Sequence, residues 1–581
     1  MSVFLFLPSA KGRNDMDAKE NYQCWLHNPN LDENLKKEME QMDETEINDA
    51  FYTNIAFGTA GMRGVMGAGT NRINIHTIRK ATAGFAAYIC AEGEKAQQQG
   101  IAIGYDNRHL SRELAFDSAA VLAVHGIRSY VFESLRPTPE LSFATRYLKC
   151  AGGIMITASH NPKQYNGYKL YDDKGCQLIP ALADKVIDCV NAITDELSVK
   201  ADPSEEQKKL ITVIGKDIDE EYYRNVMSIQ LNPDVQKENV SIVFSPEHGT
   251  SNIPVREILK RCGYTVIPVL EQCDPNPDFA NTPTPNPEQP GAYELALKYA
   301  EKNHADIILV CDPDADRMGV GVYTDGHYEL LTGNQSGSVL IEYILSQLVN
   351  KHAMPQNPVM FNTIVTSDLG EKIAAKYGVA TEKTLTGFKF IGEKVAAYEV
   401  NHLRNYVFGY EESYGSLIKP FVRDKDAQQA CLMLAEAACY YKALGKTLMD
   451  VLEDTYREHG FYNESQVSIE LSGEAGAKKI EEIMSTLRKD GLKEIAGHKV
   501  NVSEDYELLN RTVQGRTEEI TGFTKSNVLK YYLDDGSWIA VRPSGTEPKI
   551  KIYFCVCSTS SEKSLEKAEA YHKAMSELTE N

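Results

Sequence analysis

A chain of 581 residues, 42% hydrophobic and 25% charged, has the composition of an ordinary globular protein, with enough apolar sequence for about three to five domains. Its formal net charge of -21 disfavours nucleic acid and anionic membranes as partners, and any site for an anionic substrate must gather its basic residues locally. The 12 cysteines are scattered without a C-x-x-C pair. This argues against a disulfide framework or a zinc site and for free thiols in a reducing, cytoplasmic setting.

No apolar run reaches the roughly 20 residues of a membrane helix. Residues 1–8 lack the flanks of a signal peptide, so residues 1–15 read as a loose extension before an amphipathic stretch over 21–42. The Gly-rich loop 57–64 resembles a phosphate cradle but lacks the lysine of a nucleotide P-loop.

One pattern then recurs: a short apolar run, a polar loop, a helix-like segment. Ile101–Tyr105 leads to Asp106-Asn107-Arg108, and 152–156 leads to Thr157-Ala158-Ser159-His160-Asn161-Pro162-Lys163. Residues 241–244 lead to Ser245-Pro246-Glu247-His248-Gly249, 306–311 to Asp312-Pro313-Asp314-Ala315-Asp316-Arg317, and 406–408 to the loop 409–415. Helical periodicity fills 114–124 and 253–262. Strand–helix alternation predicts α/β domains with largely parallel sheets, whose ligands bind at the carboxyl ends of the strands. Polar stretches at 196–210 and 323–327 read as linkers. From about 456 the pattern changes to an alternating strand, a helix to about 489 and further strands from 499, which is α+β.

Four loops carry chemistry. Ser159 stands at a strand end beside His160 and near Lys163 and Lys169, suited to accepting a phosphoryl group once a base or cation activates the hydroxyl. Asp312, Asp314 and Asp316 alternate, and in an extended segment they would share a face and meet one hard cation such as Mg²⁺. Gly409–Gly415 carries Glu411, Glu412 and Ser413, groups that accept from sugar hydroxyls. Arg542, Ser544, Gly545 and Thr546 combine an arginine fork with a small anion nest. Taken alone, 384–389 reads as a loop and Arg423-Asp424-Lys425-Asp426 as a solvated charged run.

In order and rough spacing over residues 40–560, these loops resemble the α-D-phosphohexomutases. That resemblance implies four domains around a central cleft: three related mixed α/β domains and a C-terminal α+β domain. The expected boundaries are 1–40 (extension and helix), 41–203 (phosphoserine), 204–323 (metal), 324–455 (sugar) and 456–581 (phosphate). It implies interconversion of glucose 1-phosphate and glucose 6-phosphate through phosphorylated Ser159 and glucose 1,6-bisphosphate, with Mg²⁺ on Ser159, Asp312, Asp314 and Asp316. His160, Lys169 and Arg63 would surround the reacting hydroxyl, and Lys169 would need a pKa lowered by cationic neighbours to act as a base. Arg317, Thr386, Gly387, Lys389, Glu411, Ser413 and Lys425 would bind the sugar phosphate, and Arg542, Ser544, Gly545 and Thr546 the non-reacting phosphate. The Glu-Glu-Ser loop resembles the glucose-preferring branch, with Glu411 and Glu412 choosing between glucose and mannose. Mannose and pentose phosphates, release of the bisphosphate as product, and non-catalytic phosphosugar binding stay open. A monomer or weak dimer is expected, with a small phosphosugar as the partner.

Overall fold

The computed structural model describes residues 17–58, 61–471, 473–543 and 549–580. The chain forms two compact units. One comprises Met1–Leu330, Phe388–Tyr406 and Tyr414–Ala443; the other comprises Leu331–Gly387, Val407–Ser413 and Leu444–Asn581.

In the first unit the apolar runs form two sheets. Strands β1 (Met62–Val65), β2 (Ile101–Tyr105), β3 (Ser129–Phe132), β4 (Gly152–Ile156), β5 (Tyr165–Tyr171) and β6 (Ile211–Ile214) lie in the order β1-β5-β4-β2-β3-β6. Strands β7 (Ile242–Ser245), β8 (Val266–Pro268), β9 (Ile307–Cys311), β10 (Met318–Thr324) and β11 (His327–Leu331) lie in the order β11-β10-β9-β7-β8. The sheets are mixed rather than largely parallel. β5 runs antiparallel to β4 and β1, and β10 antiparallel to β9. The reason is loop length: a parallel return needs a crossover of a dozen or more residues, whereas the loops 157–164 and 312–317 bring the chain straight back. Both loops are therefore pinned at each end by a buried strand pair.

Helices Ile75–Ala91 and Ser111–Val124 bury Ile78, Phe85, Leu114 and Leu122 against Ile101, Ile103, Val131 and Ile154 of the first sheet. Gly84 lets helix Pro180–Asn191 approach closely, since a Cβ there would stand 2.7 Å from the Cα of Val190. Two stretches expected as linkers are ordered differently. Glu196 is buried and accepts from Trp25 Nε1 at 2.7 Å, because the N-terminal helices fold back around Trp25, Met39 and Phe51. Residues 323–327 form the tight turn between β10 and β11, with Asp325 and Gly326 at positive φ.

The second unit contains β12 (Pro358–Thr363) paired in parallel with β13 (Ala380–Thr384), and β14 (Asn405–Tyr410) on the other side of β12. Its C-terminal part is α+β, as the pattern change predicts. Strand Phe461–Glu470 runs antiparallel along Lys549–Ser558, followed in the sheet by Trp538–Pro543, Leu529–Leu533 and His498–Asp505. Helices Gly473–Asp490 and Ser561–Glu580 cover it with Ile480, Met484, Leu487, Tyr571 and Met575. No described helix is long and apolar enough to cross a membrane.

One lysine is fully buried in this unit. Lys530 Nζ donates to Ile364 O at 2.7 Å and lies 3.9 Å from the Trp538 ring centroid. Burial, helped by the charge of Lys383, pulls its pKa down to about 7. The unfolded chain then holds a proton that the folded chain lacks from about pH 7 up to the ordinary value of 10.5, so this residue makes stability rise with pH across that window. Urea unfolding of the wild type and Lys530→Met should show the wild type gaining on the variant between pH 7 and about pH 9.5. Parallel stability–pH curves would contradict the assignment.

Candidate active site

Strand β4 is wholly buried and delivers Ser159 at its carboxyl end with φ +52°. The loop is held by one residue, Arg108. Its guanidinium donates to the carbonyls of Pro162 and Tyr165 at 2.9 Å, and also to those of Ser159 and Asn161. Its charge is balanced by buried Asp106 at 3.3 Å. Four acceptors from one short loop converge on one planar cation, a geometry that suits arginine and not lysine. Ser159 Oγ lies 3.2 Å from His160 Nδ1 and donates to Asp312 Oδ2 at 2.7 Å. Arg63 is exposed and donates to Asn161 Oδ1 at 3.0 Å, so it flanks the loop. Lys163 points elsewhere, pairing with Asp278 at 3.3 Å.

The aspartate loop is a turn rather than an extended segment. Ala315 adopts φ +56°, and Asp312 Oδ1 accepts from the amides of Asp316 and Arg317 at 3.1 and 2.9 Å. Convergence comes from this turn, not from strand alternation. Pro313 O accepts from Thr250 N at 2.8 Å and Thr250 Oγ1 at 3.0 Å, and a Cβ on Gly249 would sit 2.4 Å from Pro313 Cα. The Ser245–Gly249 loop thus ends against the turn. Asp312, Asp314 and Asp316 are buried, with ligand oxygens within 4.8 Å of one another. Asp314 Oδ1 and Asp316 Oδ1 are buried without a hydrogen-bond partner. Hard oxygen donors with open lone pairs fit a divalent cation, so this group can hold a metal.

Basic groups converge on the same carboxylates. Lys169 Nζ lies 2.8 Å from Asp314 Oδ2 and 3.6 Å from Asp316 Oδ2; Lys425 Nζ lies 3.0 Å from Asp316 Oδ2. Arg317 Nε lies 3.7 Å from Asp316 Oδ1, and its Nη1 pairs with Glu288. Burial and then the charges of Asp314 and Asp316 push Asp312 well above the carboxylate range, while burial of Asp314 is outweighed by Lys169, which holds it low. The expected lowering of Lys169 is reversed. Burial alone would depress it, but Asp314 and Asp316 override burial and raise it. Its nearest neighbours are carboxylates rather than cations, so it stands here as an ammonium. Burial, with Arg317 and Arg63, keeps His160 well below its usual value, as a neutral imidazole.

The segment 423–426 is not a solvated run. Arg423, Asp424 and Asp426 are buried. Tyr171 OH donates to Asp424 Oδ2 at 2.8 Å, Tyr222 OH to Asp426 Oδ1 at 2.9 Å, and Arg423 N to Ser142 Oγ at 2.9 Å. These anchors place Lys425 against Asp316. Lys389 is buried in the same unit.

In the second unit, buried Glu411 accepts from Gly387 N at 2.8 Å, which brings Glu411, Thr386 and Gly387 together; Ser413 is half-buried on the same loop. Glu412 turns away, its Oε2 accepting from Thr363 Oγ1 at 3.1 Å and Thr366 Oγ1 at 2.9 Å. It is committed to the end of β12. Arg542 stands one residue before the end of strand Trp538–Pro543, half-buried. Ser544, Gly545 and Thr546 lie outside the described residues.

Sequence reasoning passed over Arg108 and Thr138. Arg108 had a signal, a basic residue at a strand's carboxyl end in an acidic chain. Thr138 had only its place between two prolines before a helix, which says nothing of its bond to Asp314.

Two α/β domains with a serine and an aspartate turn meeting at their strand ends define a phosphoryl-transfer architecture, and the comparisons agree. The chain matches all four segments described as Phosphoglucomutase/phosphomannomutase: alpha/beta/alpha domain I over residues 54–197, domain II over 220–325, domain III over 332–459 and the C-terminal domain over 480–571. The chain belongs to this family of enzymes. It is 38% identical over 541 residues to the phosphoglucomutase of Staphylococcus aureus strain MRSA252, covering 92% of this chain and 95% of that one. In fold it is similar to parafusin, a Paramecium phosphoglucomutase, in its open form (TM-score 0.66, 20% identity, 91% and 95% covered). It is also similar to a Phosphoglucomutase/phosphomannomutase family protein of Burkholderia thailandensis (TM-score 0.63, 16% identity, 90% and 97% covered).

Arg108→Lys should release part of the serine loop, since an ammonium has three donors for four carbonyls. Each charge-assisted bond lost is worth about 1.5–3 kcal/mol. Amide hydrogen exchange over residues 159–165 should therefore accelerate at least about tenfold, while the second unit is unaffected. Unchanged exchange in that loop would mean that Arg108 does not hold it.

Proposed function

We propose that the chain is a phosphoglucomutase, interconverting glucose 1-phosphate and glucose 6-phosphate. The observation that carries this reading is the contact of Ser159 Oγ with Asp312 Oδ2 at 2.7 Å, inside a buried triad of carboxylates faced by Lys169 and Lys425. The activity named for the Staphylococcus aureus relative supports the choice of sugar.

In this reading Ser159 carries the phosphoryl group. Its Oγ–P bond breaks as a bond forms from a sugar hydroxyl oxygen to the phosphorus, and the hydroxyl proton passes to Oγ through a neighbouring base. The product of that transfer, glucose 1,6-bisphosphate, reorients and returns its other phosphoryl group to Ser159. On the return a bond forms from Ser159 Oγ to the phosphorus as the sugar O–P bond breaks; His160 Nδ1, 3.2 Å from Oγ, takes the serine proton, and a proton passes to the departing sugar oxygen. Lys169, an ammonium, pairs with phosphoryl oxygens, and Arg63 flanks the loop. Ser159, Asp312, Asp314 and Asp316 would hold Mg²⁺, which when bound would neutralise charge on the transferring group.

Arg317, Lys389 and Lys425 hold the sugar phosphate; Glu411, Ser413, Thr386 and Gly387 hold the sugar. Arg542, Ser544, Gly545 and Thr546 hold the non-reacting phosphate. The four domains are assigned as 41–203, 204–323, 324–455 and 456–581.

Four measurements test this. Ser159→Ala should lose at least about 10³-fold in turnover while keeping its unfolding midpoint, and intact mass should show phosphate on Ser159 of the wild type; near-wild-type turnover in the variant would end the phosphoserine mechanism. Glucose, mannose and ribose 1-phosphates assayed side by side should rank glucose first in kcat/KM. Glu411→Gln should lower hexose efficiency because a buried carboxylate partner of a hydroxyl is lost. A preference for ribose phosphate would make the chain a phosphopentomutase and leave the serine and metal assignments in place.

A further inference from the structure

Thr138 opens the helix Thr138–Tyr147 and is completely buried. It makes two bonds to the aspartate turn, from residues 176 positions apart in sequence. Its backbone N donates to Asp314 O at 2.9 Å, and its Oγ1 donates to Asp314 Oδ2 at 2.9 Å. The same Oδ2 accepts from Lys169, while Oδ1 is buried with no hydrogen-bond partner.

The division of labour extends across the triad. Asp312 gives Oδ1 to two amides and turns Oδ2 to Ser159. Asp316 gives Oδ2 to Lys425 and leaves Oδ1 without a hydrogen bond. Asp314 and Asp316 thus each commit one oxygen to the protein and keep a second that accepts no hydrogen bond, whereas both oxygens of Asp312 are engaged.

We propose that Thr138 is a positioning residue for the cation, its hydroxyl fixing Asp314 so that Oδ1 is the oxygen presented. The proposal rests on Asp312, Asp314 and Asp316 being the cation's ligands. A carboxylate gripped by a single flexible ammonium turns easily, because its terminal torsion has broad wells. A second donor, on a completely buried side chain set at a helix start, removes that freedom. Thr138 is also neutral. Loss of Lys169 or Lys425 removes a formal charge from the triad, whereas loss of the Thr138 hydroxyl removes a donor and no formal charge. Partners that orient ligands in this way are typically worth about 10–100-fold in metal affinity.

The test is Mn²⁺ binding to the intact chain without substrate, followed by electron paramagnetic resonance. Thr138→Val should bind roughly 10–100-fold more weakly, and Thr138→Ser, which keeps the hydroxyl, should stay within about twofold of wild type. The Mg²⁺ concentration for half-maximal turnover should move with the Mn²⁺ Kd, while KM for glucose 1-phosphate holds. Wild-type affinity in the valine variant overturns the proposal. So does an equal loss in the serine variant, which would place the effect in packing of the methyl group. Should the valine variant not fold, Thr138→Ala carries the same expectation with less steric demand. If Asp312→Asn leaves Mn²⁺ binding of the otherwise wild-type chain unchanged, the cation site itself is wrong, a result separate from failure of the threonine alone.

Discussion

Three buried carboxylates within 4.8 Å of one another are the constraint around which the first unit is organised. In a medium poorer than water in screening, such a cluster stands only if positive charge or hydrogen-bond donors reach it from elsewhere in the chain. They do so from separate segments: Lys169 from β5, Lys425 from the loop after β14, the amides of the turn itself, and Thr138 from a helix start. Each of these is itself anchored. β5 is locked in the sheet by β1 and β4, and the Lys425 segment is bolted down by Tyr171, Tyr222 and Ser142. The packing of the unit and the electrostatics of the triad are one problem solved once.

The topology serves the same end. The serine loop and the aspartate turn each join antiparallel neighbours, so neither can drift at one end while held at the other. Arg108 closes the first and Thr250 with Gly249 backs the second. Preorganisation of this kind lowers what must be rearranged when charge moves through a site.

Much of this was legible in the sequence, and the limits are physical. Apolar runs ending in polar loops gave strand ends at 105, 156, 244 and 311, within one residue of those observed, because burial of a strand leaves a local compositional trace. The carboxylates and Ser159 announced themselves by residue type. What periodicity could not show was partnership across long separations. Arg423–Asp426 has the pattern of a surface run, and only the tyrosines that fold over it reveal that it is buried. Lys169 was expected beside cations and stands beside anions, which reverses the direction of its shift. The mixed sheets followed from loop lengths that were countable in the sequence but were outweighed by strand–helix alternation.

The backbone at Ser159 has a consequence for which residue the position tolerates. At φ +52° the main chain occupies a region that β-branched side chains enter only with strain. Threonine carries the same hydroxyl, and chemistry by itself would accept it as a phosphoryl carrier. The turn does not. The shape of the main chain, rather than the reactivity of the oxygen, makes serine and threonine unequal here, and it closes a mutational route that a comparison of side-chain chemistry would leave open.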